Sequence, residues 1–202
     1  MNIQRLKYKN YRNLQPNVII PHKGINIIYG RNAQGKTNLL EALWLFTGGR
    51  SFRGSKDADL TAHQEQKAEV EIDFFSEERE QTAQIVIENA RRSAILNGIP
   101  KKSTSELIGK FCAVIFSPEH IALVREGPSF RRDFIDSALC QLKPGYAALL
   151  SRYNHTLIQR NALLKDIPRH SELMDTLEIW DEKLSKYGEA LVASRISYIE
   201  MI

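Results

Sequence analysis

The sequence predicts an α/β fold. A mixed sheet with an antiparallel meander comes first, and an α-helical region opening with a long helical hairpin follows. Three observations carry this. A short apolar run, Ile25–Tyr29, ends at a glycine-rich loop and gives way to apolar residues at helical spacing. Clean alternation of apolar and polar residues follows between Lys67 and Ile99. After Pro128 the apolar period becomes three and four and stays so to Ile202.

Each element can be justified in order. Val18–Ile20 and Ile25–Tyr29 are apolar runs separated by Pro21 and Gly24, and both are expected as strands. Thr37–Phe46 places Leu39, Leu40, Leu43, Trp44 and Phe46 on one broad helix face, and Gly48-Gly49 ends it. In Lys67–Phe75, Val70, Ile72 and Phe74 alternate with Glu69, Glu71 and Asp73, the pattern of a half-buried strand. Gln84–Glu88 repeats it, and Asn97-Gly98 after Ala94–Leu96 is a two-residue hairpin turn. Phe111–Phe116 is continuously apolar, as a central strand would be.

Pro128 then opens a helix carrying Phe130, Phe134, Ile135, Ala138 and Leu139. A second helix runs from Tyr146 to Leu164 and is broken by Pro168. A third, with Ser171 as expected N-cap, carries Leu173, Leu177, Trp180, Leu184, Tyr187, Leu191 and Tyr198 in steps close to a heptad. The expected organisation is a first region over 1–127 and a helical region over 128–202. The last helix reaches Ile202 with no stop signal, so the chain is expected to be part of a longer protein.

Composition bounds the function classes. The chain has 202 residues, 43% hydrophobic and 26% charged, within the ordinary range for a folded protein. Its net charge of +4 is compatible with a nucleic-acid partner without requiring one. Two cysteines, Cys112 and Cys140, and five scattered histidines form no zinc-ligand spacing. Met1–Tyr11 lacks the apolar core of a signal peptide, and no run is long enough to span a membrane. A cytoplasmic protein is expected.

The sharpest signal is Gly30-Arg31-Asn32-Ala33-Gln34-Gly35-Lys36-Thr37, which fits G-x-x-x-x-G-K-[ST]. Two glycines let backbone amides converge on phosphate oxygens, and the following helix directs its unpaired N–H groups at the same point. Lys36 is expected to reach the β- and γ-phosphates, and Thr37 to place its hydroxyl on Mg2+. ATP with magnesium is the expected cofactor, with residues Gly30 to Asn38 forming the site. No Asn-Lys-x-Asp guanine signature follows the loop.

The flanking segments narrow this further. They are Tyr11-Arg12-Asn13, Asn38-Leu39-Leu40-Glu41-Ala42-Leu43, Ser51-Phe52-Arg53, Ser117-Pro118-Glu119 and Arg131-Arg132-Asp133-Phe134-Ile135-Asp136. In this order and spacing the sequence resembles the bacterial RecF family of recombination mediators, over nearly the whole chain. The resemblance implies a P-loop NTPase head of the ABC type, similar to those of SMC proteins, with the phosphate loop in lobe I and a helical lobe II. It implies ATP-dependent dimerisation of the full-length protein, binding to double-stranded and gapped DNA, and work with RecR and RecO in DNA repair and replication restart. It also implies slow ATP hydrolysis.

Carried over by position, Arg12 and Asn13 lie near the nucleotide, and Arg50 or Arg53 approaches the phosphates or DNA. Glu119 stands where other such heads place a magnesium-contacting glutamine. Simpler readings stand beside each: a turn before Pro16, solvated loop charges, the start of a helical turn. The paired basic residues Arg91-Arg92, Lys101-Lys102 and Arg131-Arg132 suit phosphate contacts, but an ordinary solvated surface explains them equally. The sequence shows neither a strand ending in paired acidic residues after Phe116 nor a Leu-Ser-x-Gly-Gln signature, so this chain is expected to bind ATP and hydrolyse it negligibly. Two other readings remain: another P-loop phosphotransferase, and a DNA- or partner-binding module with a vestigial phosphate loop.

Overall fold

A computed structural model describes residues 1–49 and 51–202, with the side chains of Glu119 and Ala122 outside that description. The chain packs as two compact units, Met1–His120 and Ile121–Ile202.

The first unit is built on strands β1 (Asn2–Lys9), β2 (Asn17–Ile19), β3 (Lys67–Ser76), β4 (Arg79–Glu88), β5 (Arg91–Leu96) and β6 (Ile99–Lys101). They form one sheet in the order β2-β1-β3-β4-β5-β6, and each pairing among the described residues is antiparallel. Alternation decides the faces. Leu6 and Tyr8, then Val70, Ile72 and Phe74, then Ala83, Ile85 and Ile87 are buried on one side. The opposite side carries charge: Arg5 bonds Asp73 at 2.6 Å and Glu71 at 2.7 Å across the β1–β3 pair. β1 itself is a strand the sequence reading did not assign, although Leu6 and Tyr8 alternate with Arg5, Lys7 and Lys9.

Helix α1 (Lys36–Trp44) buries Leu39 and Ala42, and a 3-10 turn continues it with buried Leu45 and Phe46. Gly48 ends the helix at φ 78°, where a Cβ would stand 2.3 Å from Ile108 Cγ1. Phe111 packs edge-on against Phe46 and Phe74 at ring-centroid distances of 6.2 and 5.5 Å.

Two expected strands are not formed. Ile25–Tyr29 and Phe111–Phe116 carry no strand pairing; Ile25, Ile27 and Tyr29 are 89%, 81% and 89% exposed, and Val114 and Phe116 are 99% and 94% exposed. The parallel part of the expected mixed sheet is therefore missing among the described residues. The physical reason is that a strand apolar on both faces needs ladder neighbours and cover on both faces, and no described strand runs beside either segment. Both line an open apolar cavity of about 800 Å³ with Leu40 and Leu43 of α1, and none of residues 30–37 lines it.

The second unit contains α2 (Ala122–Arg125), α3 (Pro128–Leu142), α4 (Tyr146–Asp166) and α5 (Leu177–Met201). Pro128 takes the first turn of α3 as expected. Ser171 does not cap the last helix: it opens a 3-10 turn, Ser171–Thr176, and α5 starts one turn later with no side-chain cap. α4 and α5 lie antiparallel, since Arg160 is ion-paired with Asp181 while Tyr153 packs against Gly188. The heptad positions Leu177, Trp180, Leu184, Tyr187 and Leu191 are covered, as are Asp181, Gly188 and Ser194 on the same side. A polar knot closes the packing: the Tyr146 hydroxyl donates to Asp136 at 2.5 Å, and Arg195 donates to both Asp136 oxygens at 2.9 and 2.8 Å. Burial and the neighbouring Asp136 raise the Tyr146 hydroxyl well above its ordinary pKa.

Candidate nucleotide site

The loop at 30–37 has the backbone of a phosphate cradle. Ala33 and Gly35 are left-handed, at φ 63° and 89°. Successive residues that alternate between right- and left-handed geometry point their N–H groups inward, making a concavity for an anion. Gly35 is required twice over. Its φ is strained for any other residue, and a Cβ there would stand 2.5 Å from Leu14 Cδ2 and 2.8 Å from Asn13 Oδ1. It is also the N-cap of α1 with no side-chain cap, so the first N–H groups of the helix are not claimed by a side chain.

Lys36 folds over this loop. Its ammonium donates to the carbonyls of Gly30 at 2.8 Å and Arg31 at 2.7 Å. An ammonium has three donors, so one remains for an incoming oxygen. Thr37 is exposed at the second position of α1. Among the described residues no three His, Cys, Asp or Glu side chains are grouped to hold a metal. A hydroxyl beside a phosphate cradle suits magnesium, which keeps its waters and binds through one or two protein oxygens plus phosphates.

Arg12 and Asn13 reach the site from a turn pinned to the chain at 60–62. Arg12 N bonds Leu60 O at 2.9 Å, Ala62 N bonds Asn10 O at 2.8 Å, and Leu14 N closes on Tyr11 O at 3.0 Å. From this turn the two side chains part. The Arg12 guanidinium grips Glu41 through Nε (2.6 Å) and NH2 (2.8 Å), and bonds Ser55 Oγ at 2.7 Å and Asp59 O at 3.1 Å. Four of its five N–H groups thus point into the protein. Ser51 Oγ also donates to Glu41. Burial pushes the Glu41 carboxyl up, but the hydrogen bonds from Arg12 and Ser51 and the charges of Arg12 and Arg53 outweigh it, holding the group below its ordinary value.

Asn13 faces the loop instead. Its Nδ2 donates to Ala33 O at 2.7 Å, and its Oδ1 accepts from Asn38 Nδ2 at 2.7 Å. Asn38 Oδ1 in turn accepts from Arg53 NH1 at 3.0 Å. Arg53, Asn38, Asn13 and Ala33 are therefore linked in one chain of hydrogen bonds, and the segment 51–55 is tied to the phosphate loop both here and through Glu41. Arg50 lies outside the described residues, as does the Glu119 side chain. Glu41, Ser51, Ser55 and Asp59 were missed by sequence reasoning. The available signal was Glu41 itself, a carboxylate within the otherwise apolar stretch Leu39–Trp44 of α1, where a charge is buried only if paired.

Two of the three basic pairs have one member engaged internally. Arg92 donates to Gly49 O at 2.9 Å and pairs with Asp57 at 2.9 Å. Arg131 donates to the carbonyls of Leu123 and Glu126, both at 3.2 Å, which terminates α2.

Comparison with known proteins agrees with this geometry. The AAA domain family matches residues 5–187. The DNA replication and repair protein RecF of Acetivibrio thermocellus is 44% identical over the whole chain, which spans 55% of that protein. RecF of Caldanaerobacter subterraneus is 40% identical over the whole chain, spanning 56% of it. The chain thus covers about half the length of these relatives. A solved structure described as the recombination mediator protein RecF-ATP in the RecFOR pathway matches with a TM-score of 0.92 at 40% identity, over 98% of this chain and 54% of that one. The SMC head domain of Pyrococcus furiosus matches with a TM-score of 0.51 at 25% identity, over 100% of this chain and 57% of that one. The AAA domain model over residues 5–187 shows that the chain belongs to the AAA domain family, and along its whole length it is similar to RecF proteins.

Proposed function

We propose that this chain carries the nucleotide-binding part of an ATP-dependent DNA repair and replication-restart protein that acts in the cytoplasm on gapped DNA. The carrying observation is the cradle at 30–37, with Ala33 and Gly35 left-handed and the Lys36 ammonium folded over it. In this reading the amides of residues 32–37 bind the phosphates, Lys36 reaches the β- and γ-phosphates, and Thr37 holds Mg2+. Magnesium supplies charge neutralisation between the terminal phosphates. Arg53 stands at the rim through Asn38, and Arg12 supports the site from beneath through Glu41. Arg50 and Glu119 are retained as candidates for phosphate or DNA contact and for magnesium.

The regions 1–127 and 128–202 are proposed as parts of lobe I and lobe II. DNA is held without sequence reading, by phosphate contacts from residues such as Arg91 and Arg132, the members of the basic pairs without internal bonds. Support comes from the RecF relatives and from the ATP complex of the matched structure. RecR- and RecO-type mediators are the proposed partners, and ATP-dependent dimerisation and slow hydrolysis are proposed for the protein at its relatives' full length.

The test is a calorimetric titration with Mg-ATP of the chain and of Lys36→Ala. Saturable binding that is lost in the variant supports the reading. Binding unchanged by Lys36→Ala would overturn it, and no binding to either protein would favour a partner-binding module with a vestigial loop. Phosphate transfer to a small acceptor would favour another P-loop phosphotransferase.

A further inference from the structure

We propose that Asn13 is a positioning residue of the phosphate loop: it holds Ala33 in the left-handed conformation that opens the cradle. The inference rests on the reading of 30–37 as a nucleotide site.

The direction of the hydrogen-bond chain follows from its ends. Arg53 can only donate, so Asn38 meets it with Oδ1. That turns Asn38 Nδ2 toward Asn13, which must accept through Oδ1. Asn13 is left with Nδ2 for Ala33, whose carbonyl can only accept. Neither amide can be flipped without placing two donors or two acceptors face to face. The polarity of the chain is therefore fixed by an arginine at one end and a backbone carbonyl at the other.

Ala33 is where this fixing matters. A non-glycine residue at φ 63° is disfavoured unless something holds it, and the loop places alanine there rather than glycine. Its carbonyl direction follows from its φ and ψ, so a donor locked onto that oxygen selects one geometry of the loop. Asn13 is exposed and comes from a turn pinned at 60–62, so it is a fixed anchor outside the loop it grips. Preorganising the loop in this way removes an ordering requirement that a ligand would otherwise meet on binding.

The experiment measures Mg-ATP and Mg-ADP affinity for the chain, Asn13→Ala, Ala33→Gly, the double variant and Lys36→Ala, with melting temperatures alongside. Asn13→Ala is expected to weaken both nucleotides about tenfold and alike, because the loop amides serve the α- and β-phosphates. Ala33→Gly alone gives the reference affinity against which the double variant is read. In the Asn13→Ala background it restores most of the affinity, since glycine takes the left-handed geometry without help. Asn13→Asp, which keeps the shape but cannot donate to Ala33, is expected to weaken binding at least as much as alanine. A role in general stability would instead lower the melting temperature and show no rescue by Ala33→Gly, and that result overturns the inference. So does wild-type affinity in Asn13→Ala while Lys36→Ala fails to bind, which leaves the nucleotide reading intact. A chain that binds neither nucleotide overturns both.

Discussion

At the scale of single residues, the glycine spacing of the loop at 30–37 was legible where it answers a backbone requirement, whereas the left-handed alanine at 33 was not. Gly35 is the sharpest case. Gly35→Ala meets both a strained φ of 89° and a contact of 2.5 Å with Leu14, and is expected to lower nucleotide affinity by more than tenfold in calorimetry. Less legible was the division of labour between Arg12 and Asn13. Adjacent in sequence and grouped as nucleotide neighbours, they point to different partners because the turn at 11–14 separates their side chains. Glu41 was the hidden member. Its carboxyl is held below its ordinary value of 4.5, so the folded chain takes up a proton there less readily than the unfolded one. The stability it contributes is fully present above that value and is lost as the pH falls through it toward the lower, folded-state value. Glu41→Gln is expected to lower stability near neutral pH by about 3 kcal/mol, because the half-buried Arg12 loses its charged partner. It should also flatten the acid limb of a denaturation series. A limb as steep as that of the unmodified chain would show that other carboxylates, Asp73 beside Arg5 among them, control acid unfolding.

At the scale of elements, patterns of alternation and heptad spacing translated well where the partner lies inside the chain. The meander from Lys67 onward and the α4–α5 hairpin are both of this kind. Turn chemistry was only partly readable. Asn97-Gly98 announces itself, whereas Glu77-Glu78 and Asn89-Ala90 make the same left-handed pair at both positions with no glycine in either turn. There the register of long strands overrides local preference. Ile25–Tyr29 and Phe111–Phe116 misled for the opposite reason: apolar character signals burial, but pairing needs a neighbour that sequence alone does not supply. In the helical unit the seam makes a quantitative claim. Leu191 is 1% exposed between α3, α4 and α5, and Leu191→Ala is expected to lower the stability of this unit by about 3 kcal/mol. Trp180 fluorescence in a Trp44→Phe background, followed through denaturation, reads that unit alone.

At the scale of the whole molecule, family membership was readable because five separated segments occur in one order. Which basic residues are available to a partner was not, since Arg92 is covered and the Arg131 guanidinium is engaged by backbone carbonyls only through folding. For DNA, Arg91→Ala and Arg132→Ala are expected to weaken binding to any duplex about equally, and each to reduce the slope of affinity against salt by about one ion. Equal slopes in variant and parent would remove those residues from the DNA surface. The two bare apolar segments have a consequence of another kind. Ile25–Tyr29 and Phe111–Phe116 each contain five or six residues, carry no charge and no proline, and include little besides β-formers. Ile25, Ile27, Tyr29, Val114 and Phe116 stand exposed within them, so in solution this chain carries adhesive apolar stretches able to seed self-association. Single lysines at Ile27 and Val114 would act as gatekeepers there, keeping the protein clear in light scattering at concentrations where the parent chain turns cloudy.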